Sequence, residues 1–415
     1  MTRSSFDLLL LGLNYAPEPS GNAPYTASLA RGLVERGDRV SVVSAHPHYP
    51  AWKFADGYGQ WSATTVEDSV RVQRLRHYLP ARPQGARRLL SELSFGLRLL
   101  TQRIGRADVV LLVSPALFSS AVALLRFPLR HPTVLWVQDL YSLGVAETGA
   151  GGAFVQRFVT VVERWAVRRA SHVVVIHDRF RAHMTEVLGV PVDGVTVRRN
   201  WSHLEPVEAG DRAAARRRLG WSDDETIVLH AGNQGAKQGL GNVVQAARLA
   251  DEREEPVRFV LLGDGHQRSI LERDAVGVQR IGFLYPLPGD EYQEAMAAAD
   301  VLLVNELAGV AGMAVPSKLT SYYTAGKPVL AATSSESVTA SEVNASGAGI
   351  VVSPEDPLAL LEGALALRND AARSSALGES GRRFVHEVLD QDVAIDDFRD
   401  LLHSFAHRTS SRTSS

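Results

Sequence analysis

Short apolar runs rich in Val, Leu and Ile recur along nearly the whole chain. They alternate with stretches whose apolar positions repeat at helical spacing. The first series is Asp7–Gly12, Arg39–Ser44, Val70–Leu75, Asp108–Val113, Thr133–Val137, His172–Ile176 and Val195–Val197. The second is Thr226–Ala231, Arg258–Leu262, Val278–Ile281, Val301–Val304, Pro328–Ala331 and Gly349–Val352. The runs lack the polar alternation of a half-exposed sheet, which predicts parallel strands covered by helices on both faces. Between them, Tyr25–Arg36 places Leu29 and Leu33 on one side and stops at Gly37, a residue suited to ending a helix. Asn242–Ala250, Glu291–Ala299, Ser317–Ala325 and Pro357–Leu367 read the same way. The pattern predicts an α/β chain of two doubly wound, Rossmann-like parallel sheets facing across a cleft. The expected divisions are residues 1–204, residues 205–388, a helix over 389–406 returning to the first domain, and a disordered tail over 407–415 rich in Ser, Thr and Arg.

A length of 415 residues suits two or three such domains. Lys and Arg number 44 against 46 Asp and Glu, so the balance argues against a general nucleic-acid binder. The absence of cysteine excludes disulfides, thiolate metal sites and a cysteine nucleophile, and suits a cytoplasmic location. The apolar run Phe6–Leu13 is too short to cross a membrane and no small-residue cleavage pattern follows it. Val109–Leu125 is longer, but Ser114-Pro115 and Ser119-Ser120 interrupt it, so it reads as a buried strand, a turn and a helix. A transmembrane helix is the lesser reading. Between Arg71 and Arg106 lie nine arginines and one acidic residue, Glu92, and Arg87–Arg106 is amphipathic. A solvated helix face is the plain reading, and contact with the inner face of an anionic membrane or with an anionic acceptor the sharper one.

Ligands of doubly wound folds bind beyond the carboxyl ends of the strands. After the first strand comes Asn14-Tyr15-Ala16-Pro17-Glu18-Pro19-Ser20-Gly21, leading into a helix whose N–H groups can receive a phosphate. After Thr226–Ala231 comes Gly232-Asn233-Gln234-Gly235-Ala236-Lys237, where glycines, amides and a lysine suit a diphosphate. No Gly-Lys-Ser/Thr ends it, so it is not the triphosphatase loop. Gly263, the pair Phe283-Leu284, and the small-residue loop Ala308 to Lys318 follow later strands of the same sheet. Asp390-Gln391-Asp392 spells a metal motif but falls between late helices, and His46 and His48 stand beside proline in a loop, so no metal site is assigned.

The order of Tyr15-Ala16-Pro17-Glu18-Pro19, Gly21, Tyr25-Thr26, Pro47-His48-Tyr49-Pro50-Ala51-Trp52, Trp136-Val137-Gln138-Asp139, Asn200-Trp201, Lys237-Gln238-Gly239, Pro316-Ser317-Lys318 and Ala325-Gly326-Lys327-Pro328-Val329 resembles glycosyltransferase family 4, with the GT-B fold. The resemblance is nearest to the exopolysaccharide, colanic-acid-type branch and runs from about residue 6 to residue 390. It implies a retaining transfer of a sugar from a nucleotide diphosphate (UDP, GDP or dTDP) without cofactor or metal. The acceptor is a lipid-linked saccharide or a small molecule, and nucleic acid has no part. Gly21, Gly232, Asn233, Gln234, Gly263, Phe283, Leu284, Val310, Ala311, Gly312, Met313, Ala314, Ser317 and Ser321 are implied at the donor. Glu18, Tyr25, His48, Tyr49, Trp52 and Gln138 are implied at the acceptor, and Asp139, Lys237 and Lys318 in catalysis.

The sequence also departs from the family. Two glutamates eight positions apart are usual at the sugar and the ribose; Met313 and Ser321 stand there, and Gln138 replaces the usual histidine before Asp139. The departures keep alternatives open: a small-molecule S- or O-glycosyltransferase with an unusual donor in antibiotic biosynthesis, a GT-B epimerase, or a non-catalytic sugar-nucleotide-binding or scaffold protein.

Overall fold

The computed structural model describes residues 4–18, 21–49, 51–81, 85–103, 105–114, 116–129, 131–148, 152–202, 211–309 and 317–410. The chain forms two compact units, Met1–His203 with Gln391–Ser415, and Leu204–Asp390.

In the first unit the strands are β1 (Asp7–Gly12), β2 (Arg39–Ala45), β3 (Ser62–Glu67), β4 (Val70–Leu75), β5 (Val109–Ser114), β6 (Thr133–Val137), β7 (His172–Val175) and β8 (Val195–Val197). They make one sheet in the order β3-β4-β2-β1-β5-β6-β7-β8. Only β3 runs antiparallel, on β4. The strand order reverses at β1, flanked by β2 and β5, where a doubly wound sheet opens its ligand crevice. The helices are α1 (Ala23–Glu35), α2 (Ala86–Thr101), α3 (Leu117–Leu124), α4 (Tyr141–Thr148), α5 (Gly152–Arg169) and α6 (Asp178–Ala182). Val109–Leu125 is thus a strand and a helix, and among the described residues no helix is long and apolar enough to cross a membrane. Gly37 ends α1 at φ +89°, as its place in the sequence predicts.

The second unit contains α7 (Arg212–Leu219), β9 (Thr226–Ala231), α8 (Gly241–Glu252), β10 (Val257–Leu262), α9 (Arg268–Asp274), β11 (Ile281–Leu284), α10 (Gly289–Ala298), β12 (Val301–Asn305), α11 (Lys318–Ala325), β13 (Val329–Ala332), α12 (Val338–Ser346), β14 (Gly349–Val352), α13 (Pro357–Asn369) and α14 (Ala371–Val388). Its sheet has the order β11-β10-β9-β12-β13-β14, and every pair is parallel. One apolar cluster covers each face. The run expected at Val278–Ile281 lies three residues too early: Val278 closes a turn onto Ala275, and Ile281 to Leu284 pair with Phe259 to Leu262.

The last helix, α15 (Gln391–Ser410), belongs to the first unit. Ile395, Phe398, Leu402 and Phe405 repeat at helical spacing and are all buried. Phe398 packs on Trp136 and Trp201, and Arg399 pairs with the buried Asp38 at 2.6 Å. The helix runs to Ser410, so residues 407–410, expected in a disordered tail, are helical. This anchored apolar stripe lets the helix propagate through polar residues, since elongation needs no new nucleus.

Candidate functional site

In the second unit, β9 ends in His230-Ala231 and the chain turns at Gly232, φ +134°. Gly263 follows β10 at φ +135°, and a Cβ there would lie 2.0 Å from the Gly232 carbonyl oxygen. Only a glycine at 263 lets these loops lie so close, and Gly232 takes a backbone angle that other residues rarely adopt. Gln234 locks them: its backbone N–H donates to Asp264 and its buried amide to the Gly263 carbonyl, 3.1 Å away. Gln234 is therefore a strut between the two loops expected at the donor. From the other side, Asn305 at the end of β12 donates to the carbonyls of Gln238 (2.7 Å) and Gly239 (3.1 Å) and accepts from Asn242. This clamp fixes the short turn that carries half-buried Lys237, while the Asn233 side chain is exposed.

Lys318 is the first residue of α11, and its ammonium lies 3.3 Å from Nε2 of His230. It is also the nearest side chain to the open position beside Gly232, 3.7 Å from where a Cβ would be. Burial pushes Lys318 down to about 8, with nearby Glu306 opposing the shift. Burial, and then the Lys318 charge, push His230 well below the usual imidazole range. His230 is therefore neutral, and the ammonium donates to its Nε2. Glu306 is fixed by the hydroxyls of Thr333 (2.6 Å) and Thr339 (2.8 Å). The result is a positive charge held at a glycine turn with little water around it, an arrangement that suits an anion.

Phe283 and Leu284 end β11, both partly buried against the core. The buried Arg268 guanidinium donates to the Gly263 (2.6 Å) and Leu284 (2.9 Å) carbonyls and lies 3.8 Å from the centre of the Tyr285 ring. Ser317 precedes α11 and is exposed, and Ser321 is buried within it. Val310, Ala311, Gly312, Met313 and Ala314 lie outside the described residues.

In the first unit, residues after β1 and β2 meet. The buried Glu18 carboxylate accepts from the backbone N–H of His48 (2.8 Å) and Tyr49 (2.9 Å) and from the Asn14 amide (2.7 Å). His48 Nδ1 lies 2.9 Å from the His46 carbonyl and 3.3 Å from Glu18, so the proton belongs on that nitrogen. Glu18 and His48 thus shape the loops on which the residues expected at an acceptor lie. Tyr25, also expected at the acceptor, is buried edge-on against Trp201. Tyr49 is exposed, and half-buried Trp52 stands 5.7 Å from the His48 ring at φ +53°. Gly21, φ +70°, lies beside Tyr49.

At the end of β6, buried Gln138 accepts from Asn200 at 2.7 Å, while its Nε2 has no partner among the described residues. Half-buried Asp139 follows. Next to it sits a group that sequence reasoning did not assign. Tyr141 donates to Glu92 by a very short hydrogen bond, Phe118 N–H donates to the other oxygen (3.2 Å), and Arg88 stands 3.7 Å away. Burial pushes Glu92 up to about 7 against these partners. His77 is buried behind His48, with ring centres 4.9 Å apart, and burial pushes it down to about 3. His230 did leave a signal, as the one ionisable residue of an otherwise apolar strand, and so did Glu92, as the one acidic residue of an arginine-rich segment. Among the described residues no cluster of three metal-ligating side chains occurs.

Two Rossmann-like units, each with its loops at the carboxyl ends of its strands, are the architecture of the GT-B class of glycosyltransferases. The Glycosyl transferase 4-like domain matches residues 20–201, and Glycosyl transferases group 1 matches residues 225–370. A putative colanic acid biosynthesis glycosyl transferase, WcaI of Escherichia coli K12, is 33% identical over 77% of this chain and 81% of its own. The chain belongs to glycosyltransferase family 4, in the branch of that relative, and is a glycosyltransferase. The 2-deoxystreptamine glucosyltransferase of Streptomyces kanamyceticus is 33% identical over 42% of this chain and 45% of its own. The crystal structure of Anabaena HepE in complex with UDP shares the fold, with a TM-score of 0.70 over 96% of this chain and all of that one, at 16% identity.

Proposed function

We propose that this glycosyltransferase takes its sugar from a nucleotide diphosphate held by the Leu204–Asp390 unit and transfers it with retention to an acceptor held by the other unit. The observation that carries the reading is the Lys318 ammonium fixed beside the Gly232–Gly263 turn. A diphosphate there meets backbone N–H groups and one desolvated cation, with Lys237 on the adjoining turn. The acceptor nucleophile attacks the anomeric carbon on the side the diphosphate leaves, the carbon–oxygen bond to phosphate breaks, and a phosphate oxygen takes the acceptor's proton. The protein then has to position the partners and stabilise charge on the leaving group. Asn233, Gly263, Phe283, Leu284 and Ser317 complete the donor set, with Ser321 at the ribose through water. Met313 offers the sugar an apolar face, which favours a deoxy, amino or otherwise modified sugar. Asp139 orients acceptor or sugar, and Gly21, Tyr49, Trp52 and Gln138 border them.

The name of the Escherichia coli relative supports polysaccharide assembly; the proposal adds a lipid-linked acceptor at the inner face of the membrane and contact through the arginine-rich segment 71–106. The Streptomyces relative supports a soluble acceptor in antibiotic biosynthesis. Thermal denaturation with a panel of UDP-, GDP- and dTDP-sugars tests the donor: one family should stabilise the protein by about 2.7 kcal/mol at a hundred times its Kd. No shift with any of them at millimolar concentration removes the donor site.

A further inference from the structure

The helical layer formed by α2, α3 and α5 carries a surface that the chemistry above does not use. α3 packs against both neighbours: Gly96 of α2 leaves room for Ser119 and Val122, and Phe118 stacks on Phe158 of α5. The faces that α2 and α5 turn away from this packing are apolar. On α5, Phe154, Val161 and Trp165 fall at i, i+7 and i+11 and are all exposed, Phe154 by 83%, while Phe158 lies at the edge of this stripe where it meets α3. The opposite side of α5 is conventional, with Val159, Glu163, Ala166 and Val167 buried. On α2, Leu90, Leu97 and Leu100 are exposed at i, i+7 and i+10, and Leu125 and Leu129 project just beyond α3. Single exposed leucines need no explanation, but two stripes on one layer do.

Charge identifies what would cover them. The only acidic residues of α2, α3 and α5 are Glu92 and Glu163, and both are buried. Glu163 is spent on the N–H groups of Tyr141 and Ser142. Exposed Arg87 and Arg157 flank the two stripes. Arg126, Arg164 and Arg168 donate to backbone carbonyls, and among the described residues no carboxylate pairs with them. Within the 71–106 segment, which includes Arg87, two other arginines are engaged: Arg74 is buried on Glu67, and Arg98 lies over the Trp61 ring. An apolar stripe bordered by unopposed arginines suits the boundary between the headgroups and acyl chains of a negatively charged bilayer.

We infer that the outer faces of α5 and α2 form a docking surface for an anionic lipid bilayer, with Phe154, Val161 and Trp165 entering the headgroup region. This extends the membrane contact proposed above and shifts its centre from the arginine-rich segment to α5. Vesicle binding is read without donor or acceptor, so this inference and the transfer reaction fail separately.

The test is co-sedimentation of the full chain with vesicles of equal parts phosphatidylglycerol and phosphatidylcholine, and with phosphatidylcholine alone. The protein should bind the anionic vesicles at least tenfold better, and raising the salt should weaken that binding. Arg87→Gln with Arg157→Gln should weaken it by about fivefold per charge, from ~1 kcal/mol for a basic side chain near an anionic surface. Phe154→Ser with Val161→Ser should weaken it about tenfold or more. Both pairs should keep the wild-type melting temperature, since their side chains already face solvent. Failure of the wild type to bind, or equal binding by both double variants, overturns the inference. So does a dimer in sedimentation that Phe154→Ser disperses, because a second copy would then be the cover.

Discussion

Lys318 gives the most direct access to the donor chemistry. Burial beside His230 lowers its pKa to about 8. Without ligand it is about nine-tenths protonated at pH 7 and about one-tenth at pH 9. A bound diphosphate holds the proton on, because an opposite charge favours the charged form. The apparent Kd for a nucleotide sugar is then level below pH 8 and rises about tenfold per unit above it. Between pH 7 and pH 9 the loss is about tenfold, or ~1.4 kcal/mol. Calorimetric titration over that range with the stabilising nucleotide sugar measures it. Lys318→Arg stays charged, so its affinity should be level. Lys318→Met loses a contact to a charged group, worth about 1.5–3 kcal/mol, and should bind weakly at every pH. A wild-type affinity that is level from pH 7 to pH 9 would refute the reasoning, as would an arginine variant that declines with the wild type.

Gly263→Ala should destabilise the protein by about 1–3 kcal/mol or more in urea, because the new methyl group meets the Gly232 carbonyl at φ +135°; an unchanged midpoint would mean the two loops are not pressed together. Arg399→Met leaves buried Asp38 without its partner and should cost about 3–5 kcal/mol; near wild-type stability would show that α15 is dispensable to its unit. Glu92, held up at about 7, is more easily protonated in the folded chain than in the unfolded one. Its contribution is therefore fully present below its unfolded value and is lost as the pH rises through about 7. Glu92→Gln should flatten the fall in melting temperature between pH 5 and pH 8, and an unaltered slope would exclude Glu92 as its source. Under the proposed donor pocket, Met313→Glu should impair turnover with the native donor, because a carboxylate there would be left unpaired against an apolar sugar surface; higher activity would point instead to a decayed ancestral site.

The parallel sheets were readable because their strands are buried on both faces, so Leu8–Leu11 or Val301–Val304 could hardly be anything else. β3 escaped because Ser62–Glu67 is an antiparallel edge strand with neither face buried; its register is set by β4 and the Glu67–Arg74 pair. The glycines of the donor loops were equally visible, since each close approach requires glycine. Their partners were not. That Gln234 faces inward while Lys318 returns from a helix 88 residues beyond His230 to touch it depends on tertiary placement. A motif fixes where a residue lies on the chain but not whether its side chain serves a ligand or the loop itself. The Glu18 carboxylate and His48 Nδ1 illustrate the point, for each meets backbone groups of the loop after β2, which the motif does not reveal.

Proton NMR of the anomeric signal during incubation with the stabilising nucleotide sugar tests the central claim most directly, first with water alone and then with candidate acceptors. The account predicts consumption of the donor, release of the nucleotide diphosphate, and a first product with the anomeric configuration of the donor. An inverted first product would contradict retention. A donor that binds tightly but is never consumed, with any acceptor tried, would contradict the transfer itself and leave a protein that only binds the nucleotide.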